Sequence, residues 1–510
     1  MSIQPSAFAK LFRRFSSQLV LAVVFSLAGP VIAIGAPLEI IQPRAGLDIN
    51  NRFYRAYPGL LYEVQIAAIG GTYPNSYQLV SGPNGLTVDG ATGVISWPNP
   101  PASQTPVSVS VRVIDESGAQ ATVTWPVTVT TTGFRFVDAV NGKTAANGGN
   151  GTLASPWKSM ADWYINKYDS TYRNVFLYFR AGTYRTLDAP LEDGWRLALP
   201  GNKPVVWLAY PGEKPVIDVT GSHVSAYPDI SDLYMDGLEF RNWTTNFAFA
   251  LESGGSNNTF RKNIFRRLPA GAGGGGTNAS GIFLSRGETV SNYVAIVDNK
   301  FLEVHGQGYG ILGYNGSKVL VQGNEFSDFT VSDSKAIGPK MNNSLWFIRD
   351  NRIDIAYGQG VWIDTYAYTS QIEVSYNFVR SLNDYPFWVG QEDADYGAIV
   401  SYRNTYLGDP IAVSNLRNGR GPVSFTNDVI INSSTAANGI TTPDSSVTSQ
   451  SLQTSGLLTG SPAKGIVDSN GNLTSAYSQY IGHKGYQRSA SSEAPHPQLQ
   501  PEPPGNVFVQ

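Results

Sequence analysis

The 510-residue chain has no cysteine, four histidines and only 15% charged residues. The missing cysteines exclude disulfides and thiolate metal sites, so stability must come from buried apolar surface, which a chain of this length can supply. Basic excess is also absent. With a formal charge of -3, neither nucleic acid nor an anionic lipid surface is expected as the main partner. No apolar run reaches the ~20 residues needed to span a bilayer, and the best one, 19–28, is interrupted by Gly29-Pro30. No membrane insertion is expected.

That run nevertheless has a context. Lys10, Arg13 and Arg14 precede it and small residues around Ala33 to Ala36 follow it, the order of parts in a secretory signal peptide. Phe15-Ser16-Ser17 fits a twin-arginine signal poorly, which favours the ordinary route. Residues 1–36 are therefore expected to be removed and the protein to be secreted or periplasmic. Their loss takes away three positive charges and no negative ones, moving the charge from -3 to -6. With 53 glycines, 27 tyrosines and no helical periodicity, the remainder reads as all-β.

Residues 37–132 alternate in short runs such as Tyr62-Glu63-Val64-Gln65-Ile66, with the turn Asp115-Glu116-Ser117-Gly118, a small β-sandwich. Further on, asparagines that precede a large apolar residue by two positions recur at Asn263, Asn299, Asn324, Asn351, Asn377, Asn404 and, more loosely, Asn427. Their spacings are 36, 25, 27, 26, 27 and 23. A period near 26 suits a solenoid coil of three short strands, with the asparagine in a bend where it satisfies groups buried by stacking. Ile296, Val321, Ile348 and Val374 lie three before it; Phe301, Phe326, Ile353, Val379 and Tyr406 lie two after. The glycine run 271–276 lacks a following Gly-Lys-Ser/Thr and is no phosphate loop; it accounts for the long first interval.

The stretch from Gly85-Leu86-Thr87-Val88 to Ile95-Ser96-Trp97 resembles the immunoglobulin-like modules of bacterial surface and secreted proteins, which serve as spacers as often as binders. Phe134-Arg135-Phe136-Val137-Asp138, Gly151-Thr152-Leu153-Ala154-Ser155-Pro156-Trp157-Lys158 and Leu177-Tyr178-Phe179-Arg180-Ala181-Gly182-Thr183-Tyr184 resemble the entry of pectate-lyase-like β-helix proteins. The expected fold is all-β: a right-handed parallel β-helix over 133–432 preceded by the sandwich. A C-terminal coil and cap over 433–488 and a disordered Ser/Pro-rich tail over 489–510 would follow.

If Ile311, Ile337, Val361, Phe387 and Ile411 face inward, alternation turns Leu312, Gly338, Trp362, Trp388 and Ala412 outward, with Tyr314, Lys340, Asp364, Gly390 and Ser414 beside them. Coils stack ~4.8 Å apart, so Lys340, Asp364 and Tyr314 should be neighbours facing water, with the acidic turn Gln391-Glu392-Asp393-Ala394-Asp395 at the same end. Trp362, Trp388, Tyr366 and Gln391 would bind sugar rings. A register error of one residue would reverse the stripe.

The resemblance implies a polysaccharide lyase, in which a cation neutralises a uronate carboxylate while a base removes the neighbouring proton. Lys340 is then base or carboxylate partner, and Asp364, Glu392, Asp393 and Asp333 would hold Ca²⁺. A lysine beside an unpaired carboxylate has a raised pKa, so without a metal on those acids Tyr314, Tyr366 or His305 is the better proton carrier. Three alternatives stay open. One is hydrolysis by Asp364 with Glu392 or Asp393; another is an adhesin that binds polysaccharide without chemistry; the third makes Lys340 and Asp364 a mere surface ion pair. The arginine-rich base motifs of the best-known pectate lyases and the motifs of the polygalacturonase branch are both missing. A monomer is expected.

Overall fold

The computed structural model describes residues 35–47, 51–103, 105–162, 176–186, 195–196, 206–226, 231–244, 247–251, 254–273, 279–285, 289–364, 369–390, 397–408, 411–414, 423–426, 428–432, 440–441 and 456–459. From Phe134 onward the strands stack in parallel into three sheets of twelve, eleven and ten strands. One coil shows the path. Gly316–Gln322 lies in the first sheet, Glu325–Phe329 in the second and Lys335–Met341 in the third. Strands 440–441 and 456–459 extend the third and second sheets beyond 432.

Asparagine makes the bend between the first and second sheets. The preceding residue takes a left-handed conformation, at φ 53° for Lys262, 58° for Asp350 and 59° for Tyr376, which turns the chain sharply at a cost of about 1 kcal/mol or more for a non-glycine residue. The amide ladder holds that bend in place. Asn324 donates Nδ2–H to Asn351 Oδ1 (2.9 Å) and to the Ile296 carbonyl (2.9 Å), while its own Oδ1 accepts from Asn299 N and Nδ2. Every rung from Asn263 to Asn404 donates to the next in the same direction. The final acceptor is Asp428, not Asn427: Asp428 Oδ1 takes both Asn404 N and Nδ2, and Oδ2 takes the Ser401 hydroxyl. A search for asparagine alone slips by one residue where the amide gives way to a carboxylate.

The predicted inward residues whose side chains are described enter one core, and the side chain of Ile411 lies outside that description. Ile296, Val321, Ile348 and Val374 line it from the first sheet, and Phe301, Phe326, Ile353, Val379 and Tyr406 from the second. Phe240, Phe265, Phe301 and Phe326 stack in a column, with ring centroids 5.1, 5.0 and 4.7 Å apart. Ile311, Ile337, Val361 and Phe387 close the core from the third sheet.

Strands between Arg55 and Val129 form a sandwich, a four-stranded sheet facing a three-stranded one. It is not a separate spacer in front of the solenoid. Its core residues Phe53, Trp125 and Val129 form one cluster with Phe134, Phe136, Tyr178, Leu208 and Tyr234, which face outward from the first sheet. A ribbon pairing Glu39–Gln42 with Ala67–Ile69 continues this contact onto Ala295, Leu320 and Phe347. Ion pairs tie the edges together: Glu63 with Arg261 and Lys262 (2.7 and 2.6 Å), Glu39 with Lys318 (2.8 Å) and Glu116 with Arg403 (2.7 Å).

This docking carries a pH dependence. Burial raises the Glu63 carboxyl, but Arg261 and Lys262 outweigh burial and hold it at about 2, against a usual 4.5. A depressed acid contributes stability above its unfolded pKa and loses it as pH falls toward the folded one. Melting temperature is therefore expected to fall between about pH 4.5 and 2, and Glu63→Gln, compared by thermal melting at pH 7 and pH 3, should lower stability more at pH 7 than at pH 3.

Candidate functional site

The three outer faces of the solenoid differ in chemistry. The first is covered by the sandwich. A cavity of about 190 Å³ remains in that seam, lined among others by Arg52, Glu63, Glu213, Asp236, Arg261 and Lys262; Arg261 and Lys262 pair with Glu63 and Asp236 across it. The second face neutralises itself. Arg266 bonds Glu303 (2.9 Å), Lys300 bonds Glu325 (3.0 Å), and Arg352 and Arg380 share Asp354 (2.9 and 2.6 Å).

The third face carries an aromatic cluster of its own, apart from the one packed under the sandwich. Phe247, Phe283, Tyr309, Leu312 and Trp362 cluster there, with Tyr314 and Trp388 packed against them. Its register follows the predicted stripe: Leu312 pairs with Gly338, Trp362 with Trp388, Trp388 with Ala412, and Asp364 with Gly390. The Trp362 and Trp388 rings stack 5.4 Å apart at 16°.

Two expectations about this face need correction. Trp362 and Asp364 were expected to meet water, yet they are only 7% and 4% exposed. The outward direction is right, but the aromatic cluster shields Trp362, and Asp364, the last residue of its strand, is buried. Lys340 was expected level with Tyr314. The register instead runs Gly313 to Pro339 and Tyr314 to Met341, so Lys340 is the extra residue of a bulge, re-aimed by it. Its ammonium lies 5.8 Å from both the Tyr314 and the Trp362 ring centroids. Among the described residues it meets these rings and no carboxylate.

His305 belongs elsewhere. It sits at the corner before Tyr309–Tyr314 and bonds Asp328 (2.9 Å), so it has a partner the sequence did not reveal and lies on the order of 17 Å of strand away from the Tyr314 end. Asp333 is turned to the same far end, its two oxygens taken by Lys335 and Gln307. Among the described residues no three His, Asp or Glu side chains converge as metal donors. Tyr366, Gln391, Glu392 and Asp393 lie outside the described residues.

Sequence reasoning missed Tyr309 and Lys335. Strict alternation back from Ile311 points both inward, whereas both face out. The reason is a column of small residues, Gly281, Gly310, Ala336 and Gly360. A Cβ on Gly310 would lie 2.7 Å from both the Ala336 carbonyl oxygen and Phe326 Cε1, so the backbone presses against the phenylalanine stack and two successive residues face the core. Three glycines in one column were the available signal. Burial, then Tyr314, Asp333 and Asp364, push the Tyr309 hydroxyl far above its ordinary pKa, which favours its protonated form.

Residues 49–132 match the family described as Putative Ig domain. The sandwich is an immunoglobulin-like module. No curated protein matches the chain. Among solved structures, the catalytic domain of a GH87 alpha-1,3-glucanase in complex with tetrasaccharides aligns over 79% of this chain and 85% of its own, with 11% identity and a TM-score of 0.30.

Proposed function

We propose that this chain is a polysaccharide lyase that draws an acidic glycan across the third sheet. One observation carries the reading: this face alone joins a cluster of aromatic rings to a lysine whose ammonium, among the described residues, meets no carboxylate. Aromatic rings take the apolar faces of sugars. Lys340 pairs with a uronate carboxylate, which eases removal of the proton on the adjoining ring carbon. The electrons left behind form the ring double bond as the neighbouring glycosidic oxygen departs. Tyr314, beside Lys340, is the group within reach that, as tyrosinate, takes that proton and returns it to the departing oxygen. The Ca²⁺ reading rests on Asp364, Glu392, Asp393 and Asp333, of which Asp333 already has both oxygens engaged, and no step here needs the ion.

The test is to incubate the mature protein with a panel of uronate polysaccharides, with and without a chelator. Rising ultraviolet absorbance from unsaturated ends supports elimination. New reducing ends without that rise would assign hydrolysis, with Asp364 as one carboxylate, and retention on the polymer without either would assign binding alone. Lys340→Met is expected to lower the elimination rate about a hundredfold with the melting temperature unchanged. A rate within twofold of the parent would remove Lys340 from the mechanism.

A further inference from the structure

Trp362 looks like the obvious sugar platform, yet neither of its faces is free. Trp388, from the following coil, stacks on one. Toward the preceding coils lie Tyr309, 5.9 Å away and tilted 55°, Lys335 Nζ at 5.2 Å and Lys340 Nζ at 5.8 Å. Gly338 makes this crowding possible, since a Cβ there would stand 3.0 Å from the Tyr309 ring and 3.3 Å from Trp362 Cε3.

Lys335 is as enclosed as the ring it touches. Its side chain is 7% exposed, its ammonium lies 5.5 Å from the Tyr309 centroid, and it is ion-paired to Asp333, whose other oxygen is held by Gln307. A desolvated cation between two rings, neutralised from behind, fixes both ring planes. Trp388 differs: it is partly exposed, and its register partner in the next coil is Ala412, a residue with a single methyl.

We propose that Lys335 is the positioning residue of this face: with Asp333 it locks Tyr309 and Trp362 into a pedestal, and the pedestal presents the indole face of Trp388 to a sugar ring. The inference rests on the polysaccharide reading and deepens it by separating the residue that touches sugar from those that support it.

The experiment uses the full chain labelled with 5-fluorotryptophan, in which Trp362→Phe and Trp388→Phe assign two fluorine resonances. A neutral gadolinium chelate should broaden the Trp388 line about fivefold more than the Trp362 line, following their exposures. Lys335→Met, which keeps the stem and removes the charge, should shift the Trp362 line and weaken retention on immobilised polygalacturonate about tenfold; Lys335→Arg should restore both. Equal broadening of the two lines, or a Trp362 line unmoved by Lys335→Met, overturns the pedestal. If the pedestal readouts hold but neither polygalacturonate nor a neutral glucan moves the Trp388 line, the polysaccharide reading fails instead, and the proposed role fails with it.

Discussion

Asn351→Ala should destabilise the protein by on the order of 4 kcal/mol, measured as a lower midpoint in urea. The side chain accepts from Asn324 N and Nδ2 and donates to the Val321 carbonyl and Asn377 Oδ1, each at 2.9 Å. Alanine removes four bonds in a fully buried bend, each worth about 1 kcal/mol, although Asn324 Nδ2 keeps the Ile296 carbonyl and Asn377 Oδ1 keeps the backbone N–H of residue 351. A domain's whole stability is about 5–15 kcal/mol, so a large share is at stake. Asn351→Asp keeps the acceptor but turns a carboxylate oxygen toward the Val321 carbonyl and Asn377 Oδ1, so at pH 7 it should cost at least as much as alanine. A loss under about 1 kcal/mol for Asn351→Ala would show that the ladder's strength lies somewhere other than these bonds.

Arg349→Leu is expected to cost about 3–5 kcal/mol. Arg349 and Glu373 are both fully buried, joined at 2.6 and 2.9 Å, and Arg349 also donates to the Gly70 carbonyl of the immunoglobulin-like module. Without the guanidinium, Glu373 keeps only the Ser375 and Tyr402 hydroxyls, too little to hold a buried charge. Arg349→Leu with Glu373→Leu should recover much of the loss, because removing both charges removes the desolvation problem. Thermal melting measures the cost, and limited proteolysis of residues 37–132 reports whether the module has loosened. A double variant no better than the single would place the loss in the Gly70 contact.

The solenoid was legible because its signal is periodic: one asparagine per coil fixed the bend, and the residues three before and two after it fixed the inward faces. The same arithmetic placed the Trp362 and Trp388 row correctly. It failed where periodicity breaks. The bulge at Lys340 inserts one residue, the Gly310 column turns two successive residues inward, and Asp428 substitutes a different side chain in the same bond. Docking of the module was invisible for another reason, since Phe134, Phe136 and Tyr178 read equally well as strand residues of either face until the partner surface is in view. The depth of Trp362 and Asp364 depends on neighbours from several coils, which no single window of sequence contains.

The amide ladder has a sense as well as a strength. Each rung passes a proton donor forward, and Asp428 receives one with nothing of its own to pass on. Duplicating a whole 26-residue coil between Asn263 and Asn404 would therefore preserve every bond, whereas the same insertion after Asp428 would present a carboxylate to a rung that needs an amide. Among the described residues the ladder ends at Asp428 while the sheets run on through 440–441 and 456–459, so lengthening the ladder is a matter for its interior.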